Sequence, residues 1–331
     1  MITARILGVG RYLPEKRVTN FDLEKMFETS DEWIQQRSGI VERRFAEEGV
    51  YCSDLALEAS KEALKNAGMK AEDIDFIIFA TLSPDHHFPG TGCYLQAKMG
   101  LSEIGCMDVR NQCTGFIYSL AVANAFVKIG MYKRILVVGA EVHSSALNLT
   151  FQGRDVAVLF GDGAGAVIVG PSEDESRGII SAHLHADGNY AEILKLDIWD
   201  ISKKPYITHQ TIDDGNIWPK MVGREVFRQA VVKIPEVIEE SVQAANLKVE
   251  DIDIFLPHQA NLRINQFAAA RLGVAPEKFY SNIERYGNTT AASIPIALSE
   301  MLEQGILKEG NLLMMVAFGS GFTWGTCLMR W

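Results

Sequence analysis

AEDIDFIIFA (residues 71–80) and VEDIDIFLPH (residues 249–258) carry one acidic tetrad 178 positions apart, each running straight into an apolar segment. Self-similarity at a fixed long spacing marks a duplicated unit, and it governs how the other segments are read. An amphipathic stretch precedes each tetrad, KEALKNAG (61–68) and EESVQAAN (239–246), so the unit begins with a helix followed by a strand. The similarity continues downstream. KIGMYKRILVVGA (128–140) matches EQGILKEGNLLMMVAF (303–318), pairing Gly130 with Gly305, and the two closing segments are FGDGAGAVIVG (160–170) and FGSGFTWGTCLM (318–329).

Each half then reads as strand, helix, strand, buried helix, strand and closing hairpin, an alternation that favours mixed sheets covered by helices. The central helices, FIYSLAVANAFV (116–127) and ASIPIALSEML (292–302), are apolar almost all round, as helices sandwiched between sheets must be. Pro295 belongs in the first turn of the second helix or kinks it. The expected architecture is a layered α/β pseudo-dimer with halves 1–172 and 173–331. A length of 331 residues suits two such units.

Composition limits the partners. The net charge of −10 argues against nucleic acid. No run reaches the ~18 apolar residues of a membrane span and the start MITARILGVG lacks a secretory pattern, so a cytoplasmic protein without a membrane partner is expected. Cys52, Cys93, Cys106, Cys113 and Cys327 are scattered without a C-x-x-C pair, which suggests neither a disulfide framework nor a zinc site. His86-His87 and His183-x-His185 lack companion clusters, and no metal is expected. GDGAGA (161–166) runs into AVIVG, a strand where a dinucleotide loop needs a helix, so it reads as a turn.

Counting back 17 residues from Gly130 and Gly305 reaches Cys113 and Asn288, placing both at the starts of the buried helices. His258 ends the apolar run IDIFLPH, where the first half has Ala80. A thiol at a helix start faces free N–H groups and the positive dipole end, which favour thiolate. A free cysteine can instead be a small buried hydrophobe, a histidine structural and an asparagine a cap. The polar lead-in to Cys113 and its place opposite Asn288 favour a nucleophile, whereas Cys52, Cys93, Cys106 and Cys327 have no such surroundings. Cysteine, histidine and asparagine could form a protease-like trio. Alternatively, His258 and Asn288 could donate together to a developing enolate oxygen.

The stretches TSDEWIQQRSGIVERR (29–44), HHFPG (86–90), QCTGF (112–116), LFGDGAGA (159–166), HLHADGNYAEIL (183–194), GREVF (223–227), PHQANLRI (257–264), YGNTTAASIPIAL (286–298) and AFGSGFTWG (317–325) resemble the β-ketoacyl-acyl-carrier-protein synthase III family over essentially the full length. That resemblance implies the thiolase-like α-β-α-β-α fold, with two mixed five-stranded sheets around buried helices. It implies a homodimeric acyltransferase with no permanently bound cofactor. An acyl-CoA acylates Cys113, and malonyl-acyl carrier protein then decarboxylates on His258 and Asn288 and attacks the acyl group. The acyl oxyanion is assigned to the backbone N–H groups of Cys113 and Ser320.

By the same resemblance Trp33, Arg37, Arg154, Gly223, Phe227 and Asn261 hold CoA and its pantetheine arm, and Phe88 reaches across the dimer to bound the neighbour's acyl pocket. Arg224 and Arg228, and Arg263 and Arg271, offer a basic patch to an acidic carrier protein. A degradative thiolase would carry a second cysteine in the closing loop, and FGSGF has none.

Three features depart from the family. Asn111-Gln112 precede the cysteine where small residues are common, Ser320 replaces a frequent glycine, and the segment 195–221 is long. Its Ile198, Trp199, Tyr206, Ile207, Ile217 and Trp218 could cap an enlarged acyl pocket for a primer longer than acetyl. The rival readings are a relative that joins acyl thioesters without a carrier protein, and a non-catalytic partner subunit. The latter would be expected to lack the cysteine retained here.

Overall fold

The computed structural model describes residues 2–331. The repeated tetrad has a structural purpose in both halves. Asp73 and Asp251 each accept a hydrogen bond from a backbone N–H three residues earlier, of Lys70 and Lys248, at 2.8 Å, closing a single 3-10 turn. Two residues on, Asp75 accepts from the N–H groups of Lys133 and Arg134, and Asp253 from that of Leu312. Each tetrad therefore closes the turn that follows one helix and fixes the entry of the neighbouring strand.

The first sheet runs in the order Ala4–Tyr12, Gly163–Pro171, Ile135–Glu141, Phe76–Ala80, Gly105–Val109. The second runs Gly178–Ala186, Thr323–Arg330, Leu312–Gly319, Ile254–Pro257, which is the same order and the same sense of pairing at each step. The expected fifth strand of the second sheet is reduced to one parallel bridge, Phe255 with Phe279. Chain that in the first half pairs over five residues, Gly105–Val109 with Phe76–Ala80, here makes a short 3-10 turn at Pro276–Lys278 and moves away after a single contact.

Between the sheets lie the helices Gly115–Lys128 and Ser293–Glu303. Pro295 is the third residue of the second helix, in the first turn, where its missing N–H has no intrahelical partner to lose. Phe116, Leu120 and Ala123 from one helix and Ile294, Ala297 and Leu298 from the other share a core with Ile78 and Val137 of the first sheet and Leu256, Met315 and Cys327 of the second. Cys327 is thus a core residue, as is Cys52, while Cys93 and Cys106 remain reduced with their sulfurs 3.4 Å apart.

Of GDGAGA, read from the sequence as a turn, only Gly161 and Asp162 lie outside regular structure, and Gly163–Ala166 already belong to the strand Gly163–Pro171. Asp162 takes hydrogen bonds from the N–H groups of Ala46, His143 and Ser144, pinning two loops. No helix among the described residues is long and apolar enough to cross a membrane.

Leu120 is fully buried where both sheets and both central helices meet. Leu120→Ala should cost about 2–5 kcal/mol in denaturant unfolding, because the rigid sandwich cannot collapse onto the cavity. A loss below ~1 kcal/mol would mean that the layers do not share one core.

Candidate active site

Cys113 sits in a 3-10 turn, Gln112–Thr114, that leads into the first buried helix. The turn closes through Thr114, whose N–H and hydroxyl both donate to the Asn111 carbonyl at 3.1 and 2.8 Å. Gln112 has a left-handed backbone, φ 45°, and 178 positions later Thr290 adopts φ 47° at the matching place before the second buried helix. Gln112 therefore supplies a sharp bend that delivers Cys113 to the cavity.

The matching bends also correct the counting from paired glycines. Cys113 corresponds in space to Ala291, and Asn288 lies three residues earlier. The offset arises because the second buried helix has 11 residues and the first has 14.

His258 directly follows the strand Ile254–Pro257, as Ala80 ends its counterpart. Its Nδ1 lies 2.6 Å from the Ser293 hydroxyl, and that oxygen also accepts a long 3.4 Å bond from the Gln259 N–H. The serine hydroxyl is placed to donate its proton to Nδ1, and in that tautomer the imidazole carries its proton on Nε2. Nε2 is buried without a protein partner, and His258 lines the cavity.

Asn288 is held by its backbone, donating to the Leu159 carbonyl at 2.8 Å and accepting from the Gly161 N–H at 3.1 Å. Its Oδ1 accepts from the Thr290 N–H at 2.9 Å. With the carbonyl end occupied, the amide presents its NH2 as donor.

Cys113, His258 and Asn288 line one cavity of about 400 Å³. Trp33, Arg37, Gly223, Phe227 and Asn261 line it as well. Arg154 reaches it indirectly, its guanidinium 4.3 Å from the centre of the Trp33 ring, with that of Arg37 at 4.8 Å. Such cation–π stacking holds the indole at the mouth. Asn261 caps the helix Leu262–Leu272 and donates to the Arg37 carbonyl, joining the two halves across the entrance.

The four arginines of the proposed patch separate. Arg224 and Arg263 line the cavity, Arg228 is paired with Glu225 at 2.6 Å, and Arg271 lies in the last turn of its helix, away from the opening. Phe88 stands 81% exposed on its loop.

Gly319 shows how tightly the closing loop approaches the thiol. A Cβ there would lie 2.6 Å from that of Cys113. The next N–H, of Ser320, and that of Cys113 itself both point at the sulfur. The Ser320 hydroxyl donates to the Leu194 carbonyl at 2.5 Å, anchoring the loop to the chain entering segment 195–221. Within that segment Lys195 and Lys220 pair across a two-stranded ribbon. Of the six apolar residues expected to cap the cavity, none lines it. The ribbon directs the segment outward, and Trp199 stacks on His87 at 4.4 Å, beside Phe88.

The electrostatics run against the expected thiolate. Burial pushes the Cys113 thiol up to about 12, and the nearby Glu141 carboxylate adds to the rise, while the N–H groups of Cys113 and Ser320 oppose it. Desolvation of a buried thiolate outweighs the dipole at the helix start. Burial also pulls His258 down to about 3, so its imidazole is neutral.

Glu141 was not singled out in the sequence. It ends a wholly apolar strand, is fully buried and accepts from the N–H groups of Leu82, Ser83 and Ala291 and the hydroxyls of Thr81 and Ser83. A charge closing an apolar run was the available signal. His143, Thr290 and Ser293 were missed as well. Elsewhere, His183 and His185 share Glu240, and among the described residues no group of three acidic, histidine or cysteine side chains is arranged for a metal.

A thiol and two neutral side-chain donors lining one cavity between the duplicated halves define a thiolase-fold condensing enzyme of the acyltransferase type. Residues 107–188 match the family model described as 3-Oxoacyl-[acyl-carrier-protein (ACP)] synthase III, and residues 242–331 match that of its C-terminal part. A beta-ketoacyl-[acyl-carrier-protein] synthase III of Caldanaerobacter subterraneus subsp. tengcongensis is 46% identical over 100% of this chain and 98% of its own. The crystal structure of 3-oxoacyl-[acyl-carrier-protein] synthase III from Aquifex aeolicus VF5 superposes with a TM-score of 0.90 at 43% identity, covering 99% of this chain and 100% of that one. The priming beta-ketosynthase of the R1128 polyketide pathway gives 0.89 at 32%, covering 99% and 96%. The chain belongs to the 3-oxoacyl-[acyl-carrier-protein] synthase III family.

Alkylation of Cys113 by iodoacetamide, followed site by site with peptide mass spectrometry, should rise about tenfold per pH unit from pH 7 to 9, since only the thiolate reacts. A rate already level at pH 7 would show a stabilised thiolate and contradict the burial argument.

Proposed function

We propose that the protein joins an acyl-CoA primer to malonyl-acyl carrier protein by decarboxylative Claisen condensation, as a homodimer. The observation that carries this reading is the convergence of Cys113, His258 Nε2 and Asn288 on a tunnel whose mouth holds Trp33 and Arg37. Arg37 and Arg154, stacked on the indole in the free protein, would move off it as adenine takes the ring face and would then give forked donors to phosphate. Gly223, Phe227 and Asn261 line the path of the pantetheine arm.

In the first stage the Cys113 sulfur attacks the primer carbonyl while the N–H groups of Cys113 and Ser320 stabilise the oxyanion. The carbon–sulfur bond to CoA breaks, and the thiol proton leaves with CoA. In the second stage malonyl-acyl carrier protein enters, with Arg224 and Arg263 at the mouth suited to its acidic surface. His258 Nε2–H and the Asn288 amide donate to the malonyl thioester oxygen, and carbon dioxide departs as the enolate forms. The enolate carbon attacks the acyl carbonyl. Collapse of the adduct releases the β-ketoacyl thioester, and Cys113 regains a proton from water.

Two neutral donors suit this step, because they stabilise the enolate without quenching it by proton transfer. No electron carrier is required. In that dimer Phe88, 81% exposed beside the His87–Trp199 stack, is the side chain that would enter the neighbour.

The reading is tested in two stages by intact-protein mass spectrometry and product assay. Cys113→Ala should take no acyl group from a panel of acyl-CoAs. His258→Ala and Asn288→Ala should still become acylated yet lose about 100-fold or more in malonyl-acyl carrier protein decarboxylation, the scale for removing one oxyanion donor. A wild-type protein that acquires no adduct on Cys113 would sink the covalent mechanism.

A further inference from the structure

Behind Asn288 lies a buried polar group that the chemistry above does not use. His143 Nε2 is 2.6 Å from the Thr290 hydroxyl, and Glu141 Oε2 is 3.9 Å from that same nitrogen. We infer that His143 and Thr290 are positioning residues for the condensation stage: the imidazole anchors the Thr290 hydroxyl, and Thr290 in turn fixes the Asn288 amide with its NH2 toward the reacting carbonyl. This rests on the function proposed above.

The geometry runs in one chain of contacts. The backbone of Asn288 is fixed at both its N–H and its carbonyl, so the amide plane is its remaining freedom. That plane is set by the Thr290 N–H on Oδ1. The N–H stays in that place only while residue 290 is held, and Thr290 has a left-handed backbone that a β-branched residue rarely adopts. A strained conformation persists where its surroundings over-determine it, and the His143 ring supplies that restraint.

His143 is itself held from two sides. Its N–H donates to Asp162 at 2.7 Å, and its ring packs 4.7 Å from that of Phe160, the residue bridged to Asn288. Burial keeps the imidazole neutral, so the bond to Thr290 persists across the working pH range. The first half thereby supports the second. A Cβ on Gly139 would lie 2.2 Å from the Ala291 carbonyl, and Glu141 Oε1 accepts from the Ala291 N–H at 3.4 Å, so the strand Ile135–Glu141 is the bed for the 290–292 turn.

A merely structural pair would affect both stages alike, whereas a pair acting through Asn288 affects only the second. His143→Leu removes the anchor, and Thr290→Val removes the hydroxyl while keeping the side-chain shape. Both variants should acylate Cys113 within twofold of wild type, by intact mass over time. Both should lose about 10- to 100-fold in decarboxylation of malonyl-acyl carrier protein, and Thr290→Ser should recover to within about threefold of wild type. Equal losses in both stages, unchanged decarboxylation, or failure of Thr290→Ser to recover would overturn the inference. If His143→Leu does not fold, the Thr290→Val and Thr290→Ser pair decides alone. A wild-type protein inactive in either stage would instead overturn the function on which the inference rests.

Discussion

Two backbone bends carry the site. Gln112 and Thr290 both occupy the left-handed region, at φ 45° and 47°, immediately before the buried helices. Each bend costs on the order of 1–3 kcal/mol, more readily borne where neighbours leave the chain no alternative. One bend turns Cys113 into the cavity. The other follows the Thr290 N–H that Asn288 accepts and leads to Ser293, whose hydroxyl bonds Nδ1 of His258. The close packing of these turns against the opposite half, at Gly139 and Gly319, explains why the site needs both copies of the duplicated unit.

The resulting environment is buried and nearly uncharged at the reacting atoms. His258 is neutral, Asn288 cannot titrate, and the Cys113 thiol is held protonated until substrate arrives. Glu141, the buried carboxylate that acts on the Cys113 thiol, is pushed up to about 7 by burial and opposed by the donors converging on it. Those donors come from the 81–83 loop and from the 290–292 turn, so the charge joins the halves electrostatically as the buried helices join them by packing. An arrangement of fixed dipoles gains from water exclusion, because each donor interacts more strongly in a low-dielectric site.

Much of this is legible in the sequence because duplication writes itself twice. The tetrads at 72–75 and 250–253 are retained because Asp73 and Asp251 close turns while Asp75 and Asp253 receive neighbouring strands, and side-chain chemistry of that kind leaves a pattern. The apolar helices, the first-turn place of Pro295 and the position of His258 after its strand follow from periodicity and from proline's missing donor. What stayed hidden depends on three-dimensional accidents. The second helix is shorter by three residues, which displaced the pairing of Cys113 and Asn288, and no local rule reports such a deletion. The fifth strand of the second sheet shrank to one bridge at Phe279. The thiol's raised proton affinity comes from burial that only packing reveals. The apolar residues of 195–221 suggested a cap, but the Leu194–Lys195 and Lys220–Met221 ribbon turns them away from the cavity.

The central claim is that the site acts through neutral, pre-oriented donors, and His258 tests it most directly. Long-range proton–nitrogen NMR of histidine-labelled protein between pH 5 and 9 should find one neutral tautomer throughout, with the proton on Nε2 and Nδ1 bare. An imidazolium forming near the ordinary value of about 6.5, or a proton resident on Nδ1, would contradict the account.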